Sequence, residues 1–199
     1  MKSPVLSIVL AVVIVIIGFF DFKGIKDSLK LREELQLKNK AVISKLTDIR
    51  TAEILFKQLN NRYTGSFDTL SAFIRNGRIP AVKMVSCPKD TTLSKSINYS
   101  VFFISIADSI FGKKNIHKLK DIAIIPFSGG AKFSLSAGRI DQDSLSLSVF
   151  EVSAPYEVYL KGVDEDFLYS LQREARNKNK FPGLRVGSMS LVSTAGNWE

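Results

Sequence analysis

The chain is poor in the residues that carry chemistry. It holds one histidine, His117, and one cysteine, Cys87, in 199 residues. A single thiol excludes an internal disulfide and any multi-cysteine metal site, and leaves the compartment open. A lone histidine in a polar stretch offers no partner for a histidine-spaced zinc site or a catalytic triad, and reads as a surface residue. Acidic side chains are also short: 19 Asp and Glu face 28 Lys and Arg, a formal charge of +9. That balance favours anionic partners such as lipid headgroups, nucleic acid or acidic polymers, although the cations are spread rather than clustered.

The motif scan is equally sparse. Ser86-Cys87-Pro88-Lys89 has the Ser-x-x-Lys spacing but none of the companion motifs of a Ser-Lys hydrolase. Ser128-Gly129-Gly130-Ala131-Lys132 lacks the second glycine and the Lys-Ser/Thr pair of a phosphate-binding loop, and a strand pattern follows it rather than a helix. Asp141-Gln142-Asp143 starts like a calcium loop, but Leu145 stands at the fifth position and the following glycine is missing, so a turn between strands is expected. No catalytic residue, cofactor-binding residue or metal site is identified, and no cofactor is expected.

Long apolar runs are confined to one place. Val5 to Phe20 carries no charge. Sixteen helical residues span about 24 Å against a hydrocarbon core of about 30 Å, and the deficit closes if Pro4 starts the helix and Phe22 and Ile25 extend it. The aromatics Phe19, Phe20 and Phe22 stand where a cleaved signal would need small residues, so an uncleaved anchor over 1–22 is expected. One face of this span, Ile8, Val12, Val15 and Phe19, is the expected contact with a partner in the membrane. Lys23, Lys26, Lys30 and Arg32 follow the span, which the positive-inside rule would read as cytoplasmic. They alternate with Asp21, Asp27, Glu33 and Glu34 at helical spacing, and large C-terminal domains translocate largely regardless of charge, so orientation stays open on this criterion.

Helix breakers are missing from the next stretch. Between Lys23 and Asn60 there is no proline and only Gly24. Apolar residues recur at Leu35, Val42, Leu46, Ile49 and Phe56, widened by Ile43, Ala52, Leu55 and Leu59, which marks a helix with one buried face. Lys30/Glu34, Glu34/Lys38 and Glu53/Lys57 are i, i+4 neighbours, the last in the preferred Glu-first order. A polar helical stem over 23–41 and a core helix over 42–60 are expected, with Asn39 and Glu53 interrupting strict heptads. After the turn Asn60 to Gly65, a short helix over 66–76 capped by Ser66 is expected, with Phe67, Leu70, Phe73 and Ile74 on one face. Residues 81–96 read as a loop. Alternation and turn signals place antiparallel strands between about 97 and 160, including a buried strand at Ile122 to Pro126 and alternation at Val158 and Leu160. A last helix over 164–178 is capped by Asp164, and Leu184 to Val192 suggests an edge strand. The fold class is therefore α+β: an N-terminal transmembrane helix continuing into a long amphipathic helix that packs on a small antiparallel sheet domain over 42–199.

One pattern exceeds chance. Asp followed by Ser or Thr and then a small aliphatic residue or Thr occurs at Ser28, Thr69, Thr91, Ser109 and Ser144, where eleven aspartates and this composition would give fewer than about one. It resembles the O-glycosylation acceptor of periplasmic and surface proteins in Bacteroidetes. Helix and turn capping by Asp-Ser is the other reading, and both stay open.

The segments Val42-Ile43-x-Lys45-Leu46-x-Asp48-Ile49-Arg50-x-Ala52-x-x-x-Phe56-Lys57 and Tyr63-Thr64-Gly65-Ser66-Phe67-Asp68-x-Leu70, with Phe181-Pro182-Gly183-Leu184 and the stretch Ala195 to Glu199, resemble a family of single-span envelope proteins of Bacteroidetes. That resemblance supplies no reaction; the acceptor-like pattern favours a single inner-membrane span with the bulk of the chain in the periplasm. The order of elements is similar, more distantly, to type IV pilins and secretion pseudopilins. The chain departs from them in having no glycine before the apolar run and no glutamate five residues into it. The expected role is non-enzymatic: a structural or scaffold subunit of an envelope or secretion-type assembly, with membrane lipid and other envelope proteins or a second copy as partners. Two alternatives are a ligand-sensing accessory subunit of a transporter, with an apolar pocket on strands 97–103 and 133–152, and a membrane-tethered nucleic-acid binder using Arg173, Arg176, Lys178, Lys180 and Arg185. The second is disfavoured because aromatics are not interleaved with that patch, and no nucleic acid is expected.

Overall fold

A computed structural model describes the backbone of residues 4–85, 98–112, 119–142 and 145–199; within these ranges side chains are described for Val13 and from Leu29 onward, except 83–85, 98–100 and 142. The absence of breakers between Lys23 and Asn60 has its consequence in α1, a single helix from Pro4 to Asn60. At 1.5 Å per residue it is about 85 Å long. Its C-terminal half is the spine of an α+β body. Val42, Leu46, Ile49, Ala52 and Phe56 are buried, as the stripe predicts. Packing begins earlier than the polar composition suggests, because Leu31 and Leu35 already lie half-buried against the core. Glu34 pairs with Lys38 at 2.7 Å, one of the expected i, i+4 pairs.

Two small units grip this spine. On one side α2 (Phe67–Asn76) and α3 (Ile106–Phe111) carry a two-stranded antiparallel ribbon, β1 (Arg78–Val85) with β2 (Asn98–Ser105). On the other, β3 (Ser134–Gln142), β4 (Leu145–Pro155) and β5 (Gly183–Gly187) form a three-stranded antiparallel sheet with β4 in the centre, and β5 lies on α1. Between β4 and β5 the chain makes α4 (Tyr156–Tyr159) and α5 (Glu165–Asn177). β4 reads as a near-continuous buried run from Ser148 to Ala154, the pattern of a strand covered on both faces.

Several sequence expectations change. The loop expected over 81–96 begins as β1, with Pro80 opposite Phe103 on a two-stranded ribbon where a missing N–H is tolerated. The buried strand expected at Ile122 to Pro126 is a turn. Lys45 of α1 donates to the carbonyls of Asp121 at 2.6 Å and Ile124 at 2.9 Å, and the pairing here is one antiparallel bridge, Ile124 with Lys132, made by Ile125 N–H to Ala131 and Phe133 N–H to Ala123. Val158 and Leu160 belong to the helical turn α4 and its end rather than to a strand. Ser66 occupies the N-cap of α2, but its hydroxyl makes no capping bond. Asp164 does cap α5, accepting from Phe167 N–H at 2.9 Å. The strands form two separate sheets, not one. Gly77 ends α2 in extended backbone and is needed for close approach, since a Cβ there would collide with Ile106 and the Phe73 carbonyl.

Among the described residues no helix is long and apolar enough to cross a membrane. The side chains of 5–12 and 14–20, including Ile8, Val12, Val15 and Phe19, lie outside them, although their backbone is helical.

Candidate functional site

A cavity lies beside α1 at Asn39 and Ile43, away from the strands over 97–103 and 133–152 where a ligand pocket is expected from the sequence. Phe133, Phe150 and Val152 fill the space over 133–152. The cavity is a groove of about 300 Å³ between α1 (Asn39, Ile43), α4 (Tyr156), α5 (Leu171, Glu174, Ala175, Lys178) and the segments 180–184 and 197–198.

Each wall has a local cause. Asn39 and Ile43 stand one helical turn apart, so both face the body. Asn39 Oδ1 accepts from Tyr159 OH at 2.7 Å, which ties the stem side of α1 to α4. Tyr159 is fully buried, and burial drives its phenol far above the ordinary value, so it stays a donor. Tyr156 is also pushed up, by burial first and then by the nearby Glu174 carboxylate. The third wall depends on Asn197. Its Nδ2 donates to the Gly183 carbonyl at 2.8 Å, and its Oδ1 accepts from Arg185 N–H at 3.0 Å. These bonds hold the 194–199 segment along β5, and Arg50 of α1 pairs with Glu199 at 2.5 Å. The Glu199 carboxyl is held below its ordinary value, by the Arg50 hydrogen bond first and then by Gly196 N–H. Trp198 is thereby set half-buried into the groove.

The rim is basic. Arg173, Arg176, Lys178 and Lys180 are exposed. Lys178 pairs with Glu174 at 2.5 Å, and that bond lowers the Glu174 carboxyl. Arg185 lies 3.5 Å from Glu151, with its guanidinium 5.8 Å from the Phe181 ring centre. Of the five cations named from the sequence, Lys178 and Lys180 line the groove and Arg185 lies by Phe181, whereas Arg173 and Arg176 sit on the opposite face of α5.

A second unusual group lies under the turn after α1. Glu53 is not the i, i+4 partner of Lys57 that its spacing predicts: it is fully buried, and Lys57 lies over the Tyr63 ring at 4.7 Å. Glu53 Oε2 accepts from Thr64 N–H at 2.9 Å, while Oε1 has no hydrogen-bond partner among the described residues. Burial raises its carboxyl to about 7, against the smaller opposing effect of the Thr64 bond. The sequence held the signal, because residues 42, 46, 49, 53 and 56 step by four and three along one face.

Of the five Asp-Ser/Thr hydroxyls, Thr69 and Ser109 are exposed in the first turns of α2 and α3. Their neighbours Asp68 and Asp108 suit the helix dipole there but are not the N-cap residues, which are Ser66 and Ser105. The side chain of Ser28, and Thr91, Ser144, Cys87 and His117, lie outside the described residues. Among the described residues no group of three or more His, Cys, Asp or Glu is placed to hold a metal ion. No protein-family model, curated protein or solved structure matches this chain.

Proposed function

We propose that the chain is a non-enzymatic single-span inner-membrane protein that holds its α+β body in the periplasm and serves as a structural or scaffold subunit of an envelope or secretion-type assembly. The observation that supports this most is the continuity of α1. The apolar run and the central core helix are one uninterrupted element from Pro4 to Asn60, with no hinge residue between them beyond Gly24. A rotation or displacement of the span would therefore reach Val42, Leu46 and Ile49 directly, which suits a part that transmits position rather than one that turns over substrate. The plan resembles that of pilins and pseudopilins, whose subunits also grow from the end of their own anchor helix.

The full-length chain, extracted in mild detergent and run on blue native gels, is expected to migrate as a species larger than one chain. Val12→Lys with Val15→Lys is expected to remove that species by placing charge on the proposed contact face. A free monomer as the only species in gentle detergent would defeat the scaffold reading. The same reading makes Thr69 and Ser109 glycan acceptors. In a Bacteroidetes host, Thr69→Val and Ser109→Ala are each expected to lower the intact mass by one glycan. An unmodified mass for the parent chain would leave helix chemistry as the reason for the pattern.

A further inference from the structure

The β1–β2 ribbon carries an apolar face that no described part of the chain covers. Successive residues of a strand point to opposite faces, and cross-strand partners share one. Pro80 pairs with Phe103 and Val82 with Val101, so these four stand on the same face. All four are exposed, Val82 by 61%, Val101 by 62% and Phe103 by 66%. Ile79 and Ile104, on the other face, are half-buried, and β2 packs on α2 and α3. Phe102, farther along that second face, is already 45% exposed, so the ribbon projects beyond the helices that hold its base. Among the described residues no third strand joins it. The two strands contain Arg78 and Lys83 and no acidic residue, and Arg78 is exposed on the same face as Pro80 and Val82.

An exposed apolar patch of this kind marks a contact surface, and its size selects the occupant. Eight residues per strand and two strands give an outward face of about 26 Å by 10 Å, or about 250 Å². A stable protein interface needs about 800 Å² from each partner. A second copy would also bring cations against cations with no carboxylate between them. A bilayer sets no such minimum when the chain is already anchored in it, because the tether makes the second contact intramolecular. Leu31, the first residue of α1 to lean on the core, lies eleven positions past Phe20, a rise of about 17 Å. The ribbon is longer than that gap. We propose that the β1–β2 ribbon is a second membrane contact, seating Val82, Val101 and Phe103 at the boundary of headgroups and acyl chains while Arg78 meets lipid phosphate. The inference deepens the single-span reading and rests on it for the nearness of the bilayer. It gives the body a fixed tilt on the membrane, held by the span at one point and by the ribbon at another.

The test uses the full-length chain in vesicles of phosphatidylcholine and phosphatidylglycerol. Val101→Cys in a Cys87→Ser background carries the fluorophore NBD at an exposed site, so the core is left intact. Acyl-brominated lipids are expected to quench the label at least twofold, and aqueous iodide is expected to have little effect. Val82→Asp with Phe103→Asp, both at exposed positions, is expected to reverse the two responses while the far-ultraviolet circular dichroism stays unchanged. A label open to iodide and untouched by brominated lipid would overturn the proposal. Shielding from both quenchers that grows with protein density in the vesicles would overturn it too, in favour of a second copy. Flotation of the vesicles after carbonate washing reports the span separately. A chain that stays with the vesicles but is not quenched loses only the ribbon contact, whereas one that is quenched but stripped by carbonate loses only the span.

Discussion

Phe150→Ala is expected to destabilise the folded body by about 3–5 kcal/mol. Phe150 is fully buried at the middle of β4, the central strand of the three-stranded sheet. Its ring meets Tyr63 at 4.6 Å between centres, so it joins the turn after α1 to the sheet. Its carbonyl is pressed against Gly187, which holds a φ of +76° at the end of β5 and has no room for a Cβ. The backbone on that side is fixed by β5, so the void left by alanine has little freedom to collapse. Phe150→Leu, closer in volume, is expected to cost under about 1.5 kcal/mol. Urea titrations of the full-length chain followed by far-ultraviolet circular dichroism would read both. An unchanged midpoint for the alanine variant would show that β4 is not central to stability.

The second large effect follows from Glu53. Its carboxyl titrates at about 7 in the folded chain, against 4.5 for an ordinary glutamate. Between those values the folded chain keeps a proton that the unfolded chain has released. Stability therefore falls as pH rises from about 4.5 to about 7, and levels off above that. The 2.5-unit difference corresponds to about 3 kcal/mol. Glu53→Gln keeps an acceptor for Thr64 N–H and has no charge to bury. It is expected to match the parent near pH 4.5, to exceed it by up to about 3 kcal/mol at pH 8, and to flatten the profile between. Urea midpoints at half-unit steps from pH 4.5 to 8.5 measure this. A parent profile with no downward slope in that window would mean that water or a cation reaches the carboxylate.

Residues in α1 show how far pattern reading goes. The positions 42, 46, 49, 52 and 56 were legible because a helix repeats every 3.6 residues, and one buried face is all that periodicity has to encode. Glu53 lies in the same stripe, but its charge argued for solvent, and only the packed turn at Thr64 shows that the stripe won. The strand at 78–85 was hidden by Pro80, and the false strand at Ile122 to Pro126 by an apolar composition that fits a buried turn equally well. Lys45 meets the Asp121 carbonyl from 76 residues away in sequence, and no local window contains that contact. The basic residues between 173 and 185 were visible as charge, whereas the groove that Lys178 and Lys180 line was not, since Asn39, Tyr156 and Trp198 come from three distant parts of the chain.

By itself, then, the sequence determined the long unbroken helix, the α+β class, the capped α5 and the scarcity of histidine and cysteine, because these depend on breaker residues, periodicity and residue counts. The tertiary structure decided the split into two sheets, the burial of Glu53 and the position of the groove. Those are outcomes of long-range hydrogen bonds and packing, in which a carbonyl or carboxylate is satisfied or stranded by groups that meet only when the chain has folded.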